Sequence, residues 1–313
     1  MEEVKRIWLE VKKIFGTEPQ LVMLSSLSPM AIGGPGLRFR ASSESYLSDI
    51  LRKLSKNKIR YVPIGGCSNI LCPDEPLEAP IITLIGDFCQ IVWRSLGSGV
   101  MRLGGGASLA KCVRVAQKVG LSGLAPLSGL PGTVGGAVRG NAGSFGQSIG
   151  ELVERLYLLT PEGREVVLER AELNFDYRRF TLPKGLEESL IYCLLIKLKP
   201  SSSLQVAIEG NEAKRSRELS QPKGRSLGCF FKNPPGDSAG RLIDSLGLKG
   251  LKVGGAIISD IHANFILNVE KANQKDVLEL ALKVKDLVLK KTGLKLIPEV
   301  KIIDSQGLEM SLD

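Results

Sequence analysis

Residues 129–146 read GLPGTVGGAVRGNAGSFG, a stretch with seven glycines and few side chains large enough to fill space. Gly132, Gly135, Gly136, Gly140 and Gly143 can take positive φ and let a ligand reach bare amides. Leu130, Val134, Ala137, Val138 and Phe145 interleave with them, unlike the polar Ser/Gly composition of a flexible linker. Glycine inside an apolar pattern marks close backbone approach, and an anionic cofactor is the expected occupant. Two common phosphate cradles are excluded. There is no GxxxxGK followed by Ser or Thr, and no GxGxxG opening a helix with an acidic residue about twenty positions on.

A second cradle follows the β-branched stretch 59–64, where Gly65, Gly66, Cys67, Ser68, Asn69 and Ile70 present successive amides as a backbone nest does. Alone, this segment also reads as a tight turn between strands. Residues 175–180 form an aromatic and basic cluster, in which two arginines beside Tyr177 suit either a solvated face or a site. The six cysteines contain no CxxC pair and the single His262 completes no zinc set, so no metal is expected.

Pro131-Gly132-Thr133-Val134-Gly135-Gly136-Ala137-Val138, followed by Asn141-Ala142-Gly143, resembles the FAD-binding signature of the UDP-N-acetylenolpyruvoylglucosamine reductase (MurB) family of peptidoglycan synthesis. GCFFKNP at 228–234, GRLIDSLGLKGLKVGGA at 240–256, HANFI at 262–266 and PEVKII at 298–303 continue the likeness in the family's order. It covers roughly residues 30 to 303 and points to the shorter, type II class. Cys67 and Ile70 depart from the family's GxGSNLL, Phe180 stands where a Ser is usual, and Ala31 where a basic residue is frequent.

The resemblance implies an α+β fold: an FAD-binding PCMH-type, vanillyl-alcohol-oxidase-like unit followed by a MurB substrate-binding domain. The expected boundaries are 1–200 for the FAD unit (subdomains about 20–85 and 86–200), 201–303 for the substrate domain, and 304–313 for a tail. It also implies reduction of UDP-N-acetylglucosamine enolpyruvate to UDP-N-acetylmuramate, with FAD as cofactor and NADPH as co-substrate. On this likeness Arg178 holds the substrate carboxylate, Arg178 and Glu299 stabilise the enolate formed when reduced FAD gives up its hydride, and Cys229, in the place of a proton-donating Ser, supplies the proton. Tyr177, Asn233, Arg225 and Arg215 are the expected substrate contacts. Gly65 to Ile70, with Pro131, Gly132, Thr133, Gly135, Gly136, Ala137, Asn141, Ala142 and Gly143, are the expected cofactor contacts. His262 with Asn264 reads as a hydrogen-bonded core pair.

The chain has 313 residues, 43% hydrophobic and 24% charged, enough for two or three packed units. No apolar run approaches a bilayer span, and the N-terminal MEEVKRIWLEVKKIF has no signal-peptide core, so a cytoplasmic protein without membrane insertion is expected. Its 42 basic residues, net +9, are spread along the chain with 5% aromatics. That distribution argues for small anionic ligands and a solvated surface rather than nucleic acid. A monomer is expected. The rival enzyme is an oxidase of the same flavin fold; many of those tether flavin through a histidine, and none lies in the first 200 residues. A basic nucleotide-binding module is the non-enzyme alternative.

The elements that must hold these residues follow from periodicity. Helices are expected over 1–20, 43–54, 108–119, 209–220 and 239–246. A longer one is expected from Asn273 to Gly293, with Val277, Leu280, Ala281, Val284, Leu287 and Val288 on one face. Strands are expected at 37–41, 59–64, 152–160, 164–168, 190–198 and 296–303, with a boundary at Lys199-Pro200-Ser201-Ser202-Ser203.

Overall fold

The computed structural model describes residues 2–15, 19–93 and 97–312. Its first sheet runs in the order Gln20–Met23, Pro35–Ala41, Ile81–Leu84, Val62–Pro63. Ile81–Leu84 is parallel to both of its neighbours. The helix Glu44–Lys56 starts where the Ser43 side chain accepts from the Tyr46 N–H. Its Leu47, Ile50, Leu51 and Leu54 bury against Val11, Phe15, Leu37 and Phe39. The N-terminal helix, Glu2–Phe15, is shorter than expected: Gln20 already begins a strand, and residues 16–18 lie outside the described residues. The strand expected over 59–64 is reduced to Val62–Pro63, because Pro63 has no N–H to give a ladder and the glycine nest follows.

The second unit is a five-stranded antiparallel sheet in the order Glu165–Glu169, Val153–Leu159, Leu190–Lys197, Val100–Gly104, Ile91–Trp93. Ser108 caps the helix Leu109–Lys118, and Thr133 caps the short helix Val134–Arg139 inside the glycine-rich stretch. The break in composition at 199–203 does not divide the packing. Lys199–Pro200 pairs with Leu121–Ser122. The next helix, Ser203–Ser220, begins six residues before the charged stretch and packs on Leu109–Lys118 and Ala125–Leu127. Its buried positions are Val206, Gly210, Ala213 and Arg217.

The third unit holds the antiparallel strands Lys252–Val253, Ala256–Ile258 and Ile266–Asn268, with the helices Ala239–Ser245 and Gln274–Thr292. Asn273 and Asp276 form a capping box, and Gly293 ends the long helix at φ +73. Leu287, expected on the buried face, lies on its exposed rim.

The final segment does not form one strand over 296–303. Only Lys301–Ile303 is laddered, and it runs parallel to Ile70–Leu71 of the first unit. Residues 304–313, expected as a tail, bring Glu309–Met310 back onto that strand. The chain's last turn is therefore stitched beside the loop 65–70. Among the described residues no helix is long and apolar enough to cross a membrane. No group of three or more metal-ligating side chains is found among them.

Candidate active site

The two glycine-rich loops touch. A Cβ on Gly65 would stand 2.2 Å from Thr133 Oγ1, and one on Gly66 would stand 2.9 Å from Gly132 Cα. Ser68 Oγ reaches the Pro131 carbonyl at 3.5 Å. Cys67 adopts φ +49, the left-handed backbone that the glycine of GxGSNLL would take without strain. The second loop is held from behind: Leu109 N–H donates to Gly132 O at 3.1 Å, Val134 N–H to Ala107 O and Gly135 N–H to Gly105 O, both at 2.8 Å. Side chains at Gly65 or Gly66 would strike the facing loop and force the two apart, so glycine holds both backbones together, while Gly65, Gly66 and Gly136 stay exposed and leave their amides within reach of an extended dinucleotide.

Beside this cradle opens a cavity of about 530 Å³ lined by Asn141, Gly143, Phe145, Tyr177, Arg178 and Asn233, among others. Tyr177 and Arg178 form the tip of a hairpin between Asn174–Asp176 and Arg179–Thr181. Two features aim that tip. Asn141 donates through Nδ2 to the Asp176 carbonyl at 2.8 Å and accepts the Gly150 N–H at 3.0 Å through Oδ1. Phe175 and Phe180 stack with centroids 4.4 Å apart. Phe180, in place of a Ser, is thus part of the hydrophobic core rather than of the cavity lining. Arg178 itself takes φ +53, and its guanidinium lies over the cradle: a Cβ on Gly143 would be 3.1 Å from Nη1.

The third unit supplies the opposite wall. Phe231 bridges Pro298, Glu299 N–H donates to Phe230 O at 2.8 Å, and Phe230 N–H donates to Asn264 O at 2.7 Å. Cys229 and Glu299 are thereby carried on neighbouring extended segments. Glu299 Oε1 is 2.9 Å from Arg178 Nε. The pair is close without being aligned, since that N–H meets no acceptor in hydrogen-bonding geometry. Asn69 of the cofactor loop donates through Nδ2 to the Glu299 carbonyl at 3.2 Å.

These charges act on one another. Burial pushes the Cys229 thiol up to about 11, with Glu299 adding to the rise and Arg178, Asn264 and Arg217 opposing it. The thiol therefore keeps its proton at neutral pH. Burial also raises Glu299, against the pull of Arg178 and Lys232. Arg217, 8% exposed, donates from Nε to Ser128 O at 2.9 Å and from Nη2 to Pro126 O at 3.1 Å. Its guanidinium lies 5.3 Å from the Phe145 ring centroid, and burial and then Arg178 lower its pKa.

Arg178, Cys229 and Glu299 are thus brought together, and Tyr177 and Asn233 line the cavity. Asn233 Oδ1 also accepts the Ala239 N–H at 3.0 Å. Arg215 and Arg225, expected as substrate contacts, are exposed and line no part of the cavity. Arg217 is the arginine that sequence reasoning missed. Its signal was spacing: Val206, Gly210, Ala213 and Arg217 continue one helical stripe. His262 Nδ1 accepts the Asn264 N–H at 3.2 Å, while Asn264 bonds both backbone groups of Phe231.

The chain matches the family model "FAD binding domain" over residues 35–169 and the model "UDP-N-acetylenolpyruvoylglucosamine reductase, C-terminal domain" over 220–303. The UDP-N-acetylenolpyruvoylglucosamine reductase of Pelobacter propionicus is 37% identical over 90% of this chain and 94% of its own. That of Bacillus subtilis is 33% identical over 94% and 95%. The crystal structure of the Thermus caldophilus enzyme superposes with TM-score 0.78 at 36% identity, covering 91% of this chain and 98% of that one. With identity of this level over nearly the whole length and both family domains in order, the chain belongs to the UDP-N-acetylenolpyruvoylglucosamine reductase (MurB) family of flavoproteins.

Proposed function

We propose that the protein reduces the enolpyruvyl ether of UDP-N-acetylglucosamine to the lactyl ether of UDP-N-acetylmuramate for peptidoglycan synthesis, with NADPH as the hydride source. The observation that carries this reading is the convergence of Arg178, Cys229 and Glu299, from three separate stretches, beside the glycine-walled loops. Bound FAD supplies the chemistry of hydride transfer, from NADPH and then to the vinyl CH₂ carbon of the substrate.

The residues of the chain do the rest. Gly65 to Ile70 and the 131–143 loop would hold bound FAD through their backbone amides. Tyr177 and Asn233 border the cavity that takes the sugar. Arg178 binds the substrate carboxylate, on which negative charge builds as hydride arrives, and its guanidinium stays charged throughout. Cys229 gives its Sγ proton to the carbon beside that carboxylate, from a thiol that burial keeps protonated. Glu299, raised by burial and 2.9 Å from Arg178, shares with it the stabilisation of the enolate. Arg217, close enough to influence both Arg178 and Cys229, adds positive charge behind Phe145. On this reading the enzyme works as a cytoplasmic monomer on a small UDP-sugar.

The test is spectroscopic. The purified protein should be yellow, bleach anaerobically with NADPH, and regain colour on addition of UDP-N-acetylglucosamine enolpyruvate. Bleached protein that stays colourless with that substrate overturns the assignment.

A further inference from the structure

Cys67 and Cys72 take no part in the reduction, yet their sulfurs lie 3.6 Å apart. Both side chains are buried, 3% and 0% exposed. The link between them is short and loaded. Ser68 touches the opposite cradle loop, Asn69 holds the Glu299 carbonyl, and Asn69 O accepts the Lys301 N–H at 3.0 Å. Ile70–Leu71, directly before Cys72, is the strand that pairs with Lys301–Ile303. The Cys72 thiol lowers the pKa of Cys67, with Ser28 assisting and burial opposing, so Cys67 is the more acidic sulfur. Cys72 is correspondingly raised, first by Cys67 and then by burial.

We propose that Cys67 and Cys72 form a dithiol–disulfide site within the cofactor loop, and that bridge formation and flavin binding oppose each other. The oxidant class is a low-molecular-mass disulfide. The Cys67 thiolate attacks one sulfur of RSSR and expels RS⁻. Cys72 then loses its proton to solvent, attacks the Cys67 sulfur and expels the second RS⁻. Two protein thiols are oxidised to one S–S bond, and RSSR is reduced to two RSH.

A disulfide has an S–S length near 2.05 Å, so the sulfurs must close by roughly 1.5 Å. Side-chain rotation supplies part of that closure, and on this proposal the rest draws the backbone between residues 67 and 72 together and so moves the amides meant for the dinucleotide. A reagent reaches neither sulfur while the loop is closed. Oxidation therefore proceeds from a locally opened loop, a state that bound flavin depletes. At equilibrium the linkage is reciprocal: whatever factor the bridge removes from flavin affinity, bound flavin removes from the bridge's formation constant.

The inference rests on the cradle assignment above, and the experiment separates the two. Flavin-loaded and flavin-stripped full-length protein are incubated with oxidised glutathione, denatured, alkylated and digested with trypsin. The peptide that follows Arg60 carries Cys67, Cys72 and Cys89. It should lose two of its three alkylation sites and weigh about 2 Da less than the reduced peptide before alkylation. The change should be slower by about tenfold or more in the loaded protein. Cys72→Ala should not form the bridge, and the wild-type peptide decides the matter should that variant fail to fold. No bridge, a bridge to Cys89, or equal rates in yellow and stripped protein each overturns the proposal. A protein that takes up no flavin, read from its absorbance, overturns the cradle assignment instead, while the bridge is still scored by mass.

Discussion

Arg178 Nε stands 2.9 Å from Glu299 Oε1, although one residue tips a hairpin of the second unit and the other precedes the strand that closes the chain on the first. The ion pair is where the three units meet. Both side chains are about a fifth exposed, so an arriving carboxylate can share the guanidinium without full desolvation of either. Arg178→Lys keeps the charge but loses the planar fork. It should lower kcat by about 100-fold, on the scale of roughly 3 kcal/mol for a donor aimed at developing charge. Bleaching of the flavin by NADPH should be unaffected. A variant within threefold of wild type in kcat would remove Arg178 from the charge-bearing role.

Cys229 gives a pH prediction with a definite sign. The folded thiol is raised from 9.0 to about 11. Between those values the folded chain binds more protons than the unfolded one, so the thiol's contribution to stability is full below about 9 and is lost as pH rises through the folded value. Turnover should fall along the same limb, because the donor loses its proton. Cys229→Ser should abolish that alkaline limb, since an alcohol does not titrate there, and Cys229→Ala should depress kcat at every pH. Rate profiles from neutral pH to 11 decide it; an unchanged limb in Cys229→Ser removes the thiol as donor.

The legibility of this site from sequence was uneven for a physical reason. Local signals were readable: Asn273 with Asp276 at the start of the last long helix, helices beginning at Ser43 and Ser108, and glycines where two loops meet backbone to backbone. Contacts of long sequence separation were legible only through the family resemblance, which put Arg178, Cys229 and Glu299 at one substrate. Nothing near Glu299 says that it pairs with Arg178, because single bridges such as Phe231 to Pro298 leave no periodicity to read. At 199–203 the Ser and Pro that read as a boundary also form a two-residue ladder, Lys199–Pro200, and the Ser202 cap of the helix that follows. Arg217 was overlooked because charge in a polar helix reads as surface until Gly210 and Ala213 are seen to face inward.

Gly66 is tested by the smallest possible side chain. An alanine Cβ would lie 2.9 Å from Gly132 Cα, a backbone atom that cannot rotate away. Gly66→Ala should force the loops apart, with flavin retained poorly through gel filtration and a lower Tm. Gly146→Ala is the control, since its Cβ meets open space and only φ +78 opposes it. Its cost should be about 1 kcal/mol with flavin content kept. Equal flavin retention in Gly66→Ala and wild type would contradict the close approach.

Phe180 replaces a residue that the resemblance would make a Ser, and its burial at 5% against Phe175 says what the exchange does. Phe180→Ser should destabilise the chain by about 3–5 kcal/mol, from the lost ring and the cavity it leaves. It should not raise turnover, because the position packs in the core under the hairpin. Urea unfolding read together with kcat separates the two effects. A stable, faster Phe180→Ser enzyme would mean that the hydroxyl reaches the substrate after all.

Arg217 offers a means of telling a structural arginine from one that shapes the reaction. Its guanidinium satisfies the carbonyls of Ser128 and Pro126 in a buried position, so Arg217→Met should cost about 2–3 kcal/mol through orphaned acceptors. A purely structural role predicts that loss and nothing more. Yet Arg217 is one of the groups that hold the Cys229 thiol down against burial, together with Arg178 and Asn264. Deleting its charge should therefore move the alkaline limb of kcat upward, in the direction opposite to what general loosening and hydration of the site would give. An alkaline limb that stays in place or moves down in Arg217→Met, in protein shown by its near-UV spectrum to be folded, would confine Arg217 to scaffolding.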